Sequence, residues 1–126
     1  TEVKEEEFVC EMPGKKVKVA VISADVMGKG DDELGKVLIR GFLYALSQME
    51  THVDTILFYN GGAKLTTEGS DSIEDLKKME AEGTEILTCG TCLKHYGLME
   101  KLLVGKVTDM YTITERMMGA DKIIRP

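Results

Sequence analysis

The chain has 126 residues, enough for one domain that buries its own core without disulfide or metal staples, and too few for a second. Hydrophobic residues make up 43% and charged residues 30%, a globular balance that excludes a disordered chain, and no apolar run approaches the ~20 residues a bilayer span needs. The formal charge of -6, with lysines and arginines scattered, argues against nucleic acid as a partner, because replacing phosphate counterions takes a basic stripe.

The first residues, Thr1 to Glu7, carry no signal-peptide pattern, so the expected setting is the cytoplasm, without membrane attachment. Starting at Thr1 without a methionine, the sequence reads as a processed chain or a piece of a longer protein. Residues 1–15, ending in Pro13-Gly14, read as a tail or linker, and residues 16–126 as the domain. Val17 to Ile22 is β-branched and nearly all apolar, as a strand buried on both faces should be. Gly28-Lys29-Gly30 breaks it. Asp31-Asp32-Glu33 then opens a long helix, with Leu34, Val37, Leu38, Phe42, Leu46 and Met49 as its expected buried stripe.

A second strand spans Val53 to Tyr59 and stops at Asn60-Gly61-Gly62. After a loop through Thr66-Thr67-Glu68-Gly69, a helix is expected over Ser70 to Glu82, with Asp71 and Glu74 as a capping box and Ile73, Leu76 and Met79 buried. Thr84 to Thr88 is the third strand and runs into Cys89; Thr91 to Tyr96 starts a helical stretch broken at Gly97. Val104 to Thr108 reads as a short strand, Tyr111 to Met118 as a helix ended by Gly119, and Asp121 to Arg125 as the last strand. Alternating strands and helices on short linkers predict a mostly parallel sheet between helix layers. The eight methionines suit helix packing and subunit contacts.

In such a sheet reactive groups gather outside the carboxyl ends of the strands, here Asp25 to Gly30, Asn60 to Lys64 and Cys89 to Cys92. Cys89-Gly90-Thr91-Cys92 is the strongest candidate. A thiol reacts as thiolate, and the amides of Gly90, Thr91 and Cys92 could stabilise one on Cys89, while Gly90 permits a sharp turn and close approach of a partner. Cys92 is near enough to capture a group formed on Cys89. The plain alternative is two small buried hydrophobes. An odd cysteine count, with two too close for a framework disulfide, indicates thiols kept reduced.

Three chemistries use such a pair. A thiol-disulfide redox module of thioredoxin type would carry its pair early and face it with a proline, but the only prolines are Pro13 and Pro126. A zinc site would need Cys10, His52, His95 or carboxylates to complete it, and there is no second Cys-x-x-Cys, so no metal is expected. The third is a carrier whose thiolate accepts sulfane sulfur or selenium and passes it to an acceptor. It needs no cofactor. Among the other edges, Gly28-Lys29-Gly30 lacks a third glycine and is followed by three carboxylates, which read as helix caps and exclude a dinucleotide site. The amides of Asn60 and Gly61, with Lys64, could line the crevice beside Cys89, although a turn that needs glycine explains the same letters.

Val21 to Gly35, Leu65 to Ser70, Ile86 to Leu93 and Tyr96-Gly97-Leu98 resemble the DsrE-like family, in particular the carboxyl-terminal domains of its selenium-linked two-domain members, over Lys16 to Ile124. The resemblance implies a three-layer α/β/α sandwich, flavodoxin-like, of about five strands, often assembled as a homo-oligomer. It implies a sulfurtransferase-like relay with the carrier role on Cys89; an auxiliary role for Cys92 is an inference from its spacing. Partners would be sulfur or selenium donor and acceptor proteins, among them a domain resembling TusA, whose Cys-Pro-x-Pro motif Cys10-Glu11-Met12-Pro13 does not match. The rival reading is a non-catalytic assembly domain.

Overall fold

A computed structural model describes residues 16–126. The expected tail over residues 1–15, with Cys10, lies outside them. In chain order the elements are β1 (Lys18–Ile22), α1 (Asp32–Gln48), β2 (Thr55–Phe58), a 3-10 helix (Asn60–Thr66), α2 (Ile73–Ala81), β3 (Glu85–Cys89), α3 (Gly90–His95), a second 3-10 turn (Met99–Lys101), β4 (Lys106–Thr108), α4 (Met110–Met118) and β5 (Lys122–Ile124). The five strands form one sheet in the order β4-β3-β2-β1-β5, with every pair parallel.

Strand parity divides the core into two layers, because successive side chains leave a strand on opposite faces. Ala20, Ile22, Ile56, Phe58 and Ile86 pack against Ile39, Leu43 and Leu46 of α1 and Leu76 and Met79 of α2. Val19, Val21, Leu57, Leu87 and Cys89 point the other way, under Ile113 and Met117 of α4. The result is the expected three-layer α/β/α sandwich. Parity alone assigns Cys89 to the α4 side, and Thr88 to the opposite side, where its hydroxyl lies 2.8 Å from that of Thr66.

Asp31 caps α1 by accepting from the N–H groups of Glu33 and Leu34, with Asp32 and Glu33 in the first turn, so these carboxylates serve the helix as expected. The expected buried stripe is corrected. α1 buries Gly35, Ile39, Leu43, Leu46 and Ser47, while Leu34, Val37, Leu38 and Met49 are 45–55% exposed. Gly35 selects this face: a Cβ there would lie 2.8 Å from Cβ of Val26, so only glycine lets the helix start settle on the chain leaving β1. α2 is also shorter than expected. Its first turn follows Ser72, which makes no side-chain cap, so the Asp71–Glu74 capping box does not form.

Candidate functional site

β3 ends at Cys89 itself, and α3 begins at the next residue. The turn is tight because Gly90 has no side chain: a Cβ would meet Val107 Cγ1 at 2.9 Å and the Thr108 carbonyl oxygen at 3.4 Å, both on the neighbouring strand β4 or its end. Cys89 is buried at 3% exposure and Cys92 is half-buried; both are free thiols. The backbone N–H of Cys92 donates to Cys89 Sγ over 3.4 Å, which is the one amide of the expected three that reaches that sulfur. Thr91 is exposed beside them.

The second crevice-forming segment meets the first. Asn60 follows β2 with φ at +50°, the left-handed region that asparagine tolerates better than most residues. Its N–H thereby donates to Cys92 Sγ at 3.0 Å, and its side-chain Oδ1 accepts from the Tyr96 hydroxyl at 3.0 Å. Gly61 and Gly62 press the turn onto the end of β1. At Gly62 a Cβ would stand 2.1 Å from the Ile22 carbonyl oxygen, whereas at Gly61 it would make ordinary 3.5 Å contacts with Ala24 and Asp25. Lys64 holds its ammonium 4.7 Å from the Tyr96 ring centroid, a cation–π arrangement.

Each sulfur therefore receives one backbone N–H. Burial, then the hydrogen bond with Cys89 and its charge, push the Cys92 thiol above its ordinary range, and the Asn60 amide opposes them. Cys92 therefore gives up its proton less readily than an ordinary cysteine thiol. The structure brings Cys89, Cys92, Asn60 and Lys64 to one edge of the sheet. Gly61 and Gly90 shape the backbone there.

Tyr96 is the residue the sequence reading passed over: four positions after Cys92, it shares that thiol's side of α3 and ties Asn60 and Lys64 to it. His95 is exposed and packs edge-on against the Tyr96 ring. His52 is bound to Glu82. Among the described residues no three His, Cys, Asp or Glu side chains converge as metal ligands, and no helix is long and apolar enough to cross a membrane.

An all-parallel α/β/α sandwich with a thiol pair where a strand feeds a helix defines a class of small thiol-bearing domains. Residues 24–126 match the DsrE/DsrF-like family, and the chain belongs to that family, which is generally linked to sulfur relay with partner proteins. Solved structures agree on the fold. The ychN protein of E. coli superposes with a TM-score of 0.68 at 16% identity, over 89% of this chain and 100% of that one. MTH1491 of Methanobacterium thermoautotrophicum, a protein of unknown function, gives 0.65 at 20% identity with the same coverage. BT1422 of Bacteroides thetaiotaomicron, a conserved protein of unknown function, gives 0.59 at 15%, over 86% of this chain and 94% of that one. No curated protein matches the sequence.

Proposed function

We propose that the chain is a carrier of sulfane sulfur or of selenium, with Cys89 as the accepting thiolate and Cys92 as the auxiliary thiol. The supporting observation is the relay of donors at the sheet edge, from Asn60 N–H to Cys92 Sγ and from Cys92 N–H to Cys89 Sγ. Amide donors favour sulfur in its anionic forms, both the attacking thiolate and the persulfide that follows. In the transfer, Cys89 thiolate attacks the terminal sulfur of a donor persulfide. The donor's S–S bond breaks, its electron pair leaves on the donor thiolate, and the sulfane sulfur remains on Cys89. With Cys89 nearly buried, the donor approaches over Cys92, the more exposed of the two. Free thiols suit a reducing compartment such as the cytoplasm.

The test is mass spectrometry of the reduced protein after exposure to a persulfidated donor protein. A gain of one sulfur atom on the Cys89 peptide, absent in Cys89→Ala, supports the carrier. Unmodified thiols would leave a non-catalytic assembly domain, and a Cys89–Cys92 disulfide without added sulfur would indicate a redox module. The resemblance to the carboxyl-terminal domain of YedF makes selenium metabolism and a TusA-like partner domain the first context to try.

We also propose that the chain self-associates through the outer face of α1. Leu34, Val37, Leu38, Gly41, Tyr44 and Ala45 are exposed and recur at the three- and four-residue spacing of a helix–helix seam. Gly41 lies at its middle with open space above it, which suits close approach by the same helix of a second copy.

A further inference from the structure

A cleft of about 630 Å³ is lined by the first half of α1, by the loop that follows the Asn60–Thr66 helix, and by Tyr96 and Leu98. Its size falls in the ordinary range for small-molecule sites. Lys36 and Arg40, one turn apart on α1, line it together with Lys64, and Asp25, Glu68 and Asp71 complete the charged lining, with buried Ile39 and Leu65 among its apolar residues. Two acids are already engaged, since Arg40 Nη1 lies 3.5 Å from Asp71 and Lys101 Nζ lies 3.9 Å from Glu68. Among the described residues that leaves Lys36 and Lys64 against Asp25, a local cationic excess in a chain whose formal charge is -6.

This mixture selects a ligand class. A polyphosphate would set its charge against Asp25 and bring no cation to it, and an apolar ligand would strip water from charges without replacing it. A zwitterion with more than one carboxylate and a single ammonium answers both signs. The position of the cleft narrows the class further. Tyr96, part of its lining, donates to Asn60 Oδ1, and Asn60 N–H donates to Cys92 Sγ, so two hydrogen bonds join the cleft wall to the more exposed thiol. We infer that this cleft binds a short peptide thiol, its carboxylates against Lys36 and Lys64, its ammonium against Asp25, and its sulfur toward Cys92. That the ligand is a thiol rests on the carrier reading; the charge match does not.

The probe is S-methylglutathione, which has this charge pattern and cannot exchange sulfur. Titrated into the whole chain and followed by amide NMR, it should give saturable shifts at Gly69, Ser70 and Tyr96. Replacing both exposed lysines (Lys36→Ala with Lys64→Ala) should weaken binding by about tenfold, as expected for two surface charge pairs. Asp25→Asn, a milder change, should weaken S-methylglutathione but leave its analogue lacking the ammonium unaffected, which keeps the claim testable if the lysine variant misfolds. Binding to the parent chain and to Cys89→Ala/Cys92→Ala alike, with no sulfur gained by the parent chain from a persulfidated donor, supports the cleft and counts against the carrier. Shifts confined to other surfaces, no saturation, or equal affinity in the lysine variant overturns the inference even where sulfur transfer is intact.

Discussion

The N–H of Asn60 reaches the sulfur of Cys92, 32 positions later in the sequence, at 3.0 Å. It does so because the chain leaves β2 in a left-handed turn, which aims the amide at α3 instead of along the strand. The hydrogen bond is therefore a property of backbone conformation and depends on the residue at 60 only through the φ it accepts.

Asn60→Ala and Asn60→Gly should separate on this point. Alanine pays roughly 1 kcal/mol to keep a positive φ, and relaxing it withdraws the amide, so the Cys92 thiol should titrate higher still. Glycine keeps the turn and the amide while losing the Tyr96 contact, so Cys92 should titrate as in the parent. The rate of iodoacetamide alkylation at Cys92 against pH, resolved by peptide mass, measures both. Equal titration in the alanine variant and the parent would refute the role of the turn.

Cys89→Ala should lower the Cys92 titration. Both the hydrogen bond and the charge of Cys89 hold that thiol protonated, while the Asn60 amide pulls the other way and remains. The alkylation profile of Cys92 should shift to lower pH. An unchanged profile would mean that Cys89 has no part in setting it.

Two adjacent glycines should respond differently to alanine. Gly62→Ala forces a methyl group against the Ile22 carbonyl oxygen and should cost about 2–3 kcal/mol, as overpacking of a closed core does. Gly61→Ala makes only ordinary contacts and should stay within about 1 kcal/mol of the parent. Urea unfolding midpoints give the comparison directly.

Acid should weaken the fold through Glu85. Arg116 grips it with two hydrogen bonds, Nε at 2.8 Å and Nη2 at 3.0 Å, and Thr55 adds a third at 3.0 Å. These, the Arg116 pair first, hold its carboxyl below the usual range. A depressed folded-state pKa means that the unfolded chain takes up the proton first. The contribution is present above the ordinary glutamate value of about 4.3 and fades as pH falls through the lowered folded value. Because the pair is about a third exposed, it is worth at most about 1 kcal/mol. Glu85→Gln should therefore be less stable than the parent near pH 7 and converge with it in acid. A gap that persists at low pH would contradict this account.

Leu38→Glu on the outer face of α1 should shift the chain toward smaller species in sedimentation velocity without changing its helix content, since the side chain is exposed. Unaltered sedimentation would remove α1 as the seam.

The strands were legible because Val19-Ala20-Val21-Ile22 and Ile86-Leu87 are unbroken apolar runs, and the position of Cys89 followed from the second of them. The buried face of α1 was not legible. Its apolar residues occupy two stripes of nearly equal strength, and the choice between them is made by the fit of Gly35 against Val26, a contact between segments that spacing cannot register. Asn60 and Lys64 could be assigned to the right edge of the sheet. Their link to Cys92 could not, because it runs through a backbone amide and the Tyr96 hydroxyl, neither of which leaves a periodic trace.

The strand order carries a consequence for how the molecule is made. β5 pairs with β1, Lys18 opposite Lys122, and the nearby bond from Val17 N–H to Asp121 Oδ2 closes a separation of 104 residues. Closing so long a loop is entropically costly and tends to come late in folding. The connection into β5 is α4, the helix over Val19, Val21, Leu57, Leu87 and Cys89. Until that helix docks, the sulfur-bearing face stands open to water and oxidants. A chain emerging from the ribosome thus passes through an interval in which the Cys89 thiol has no helix over it.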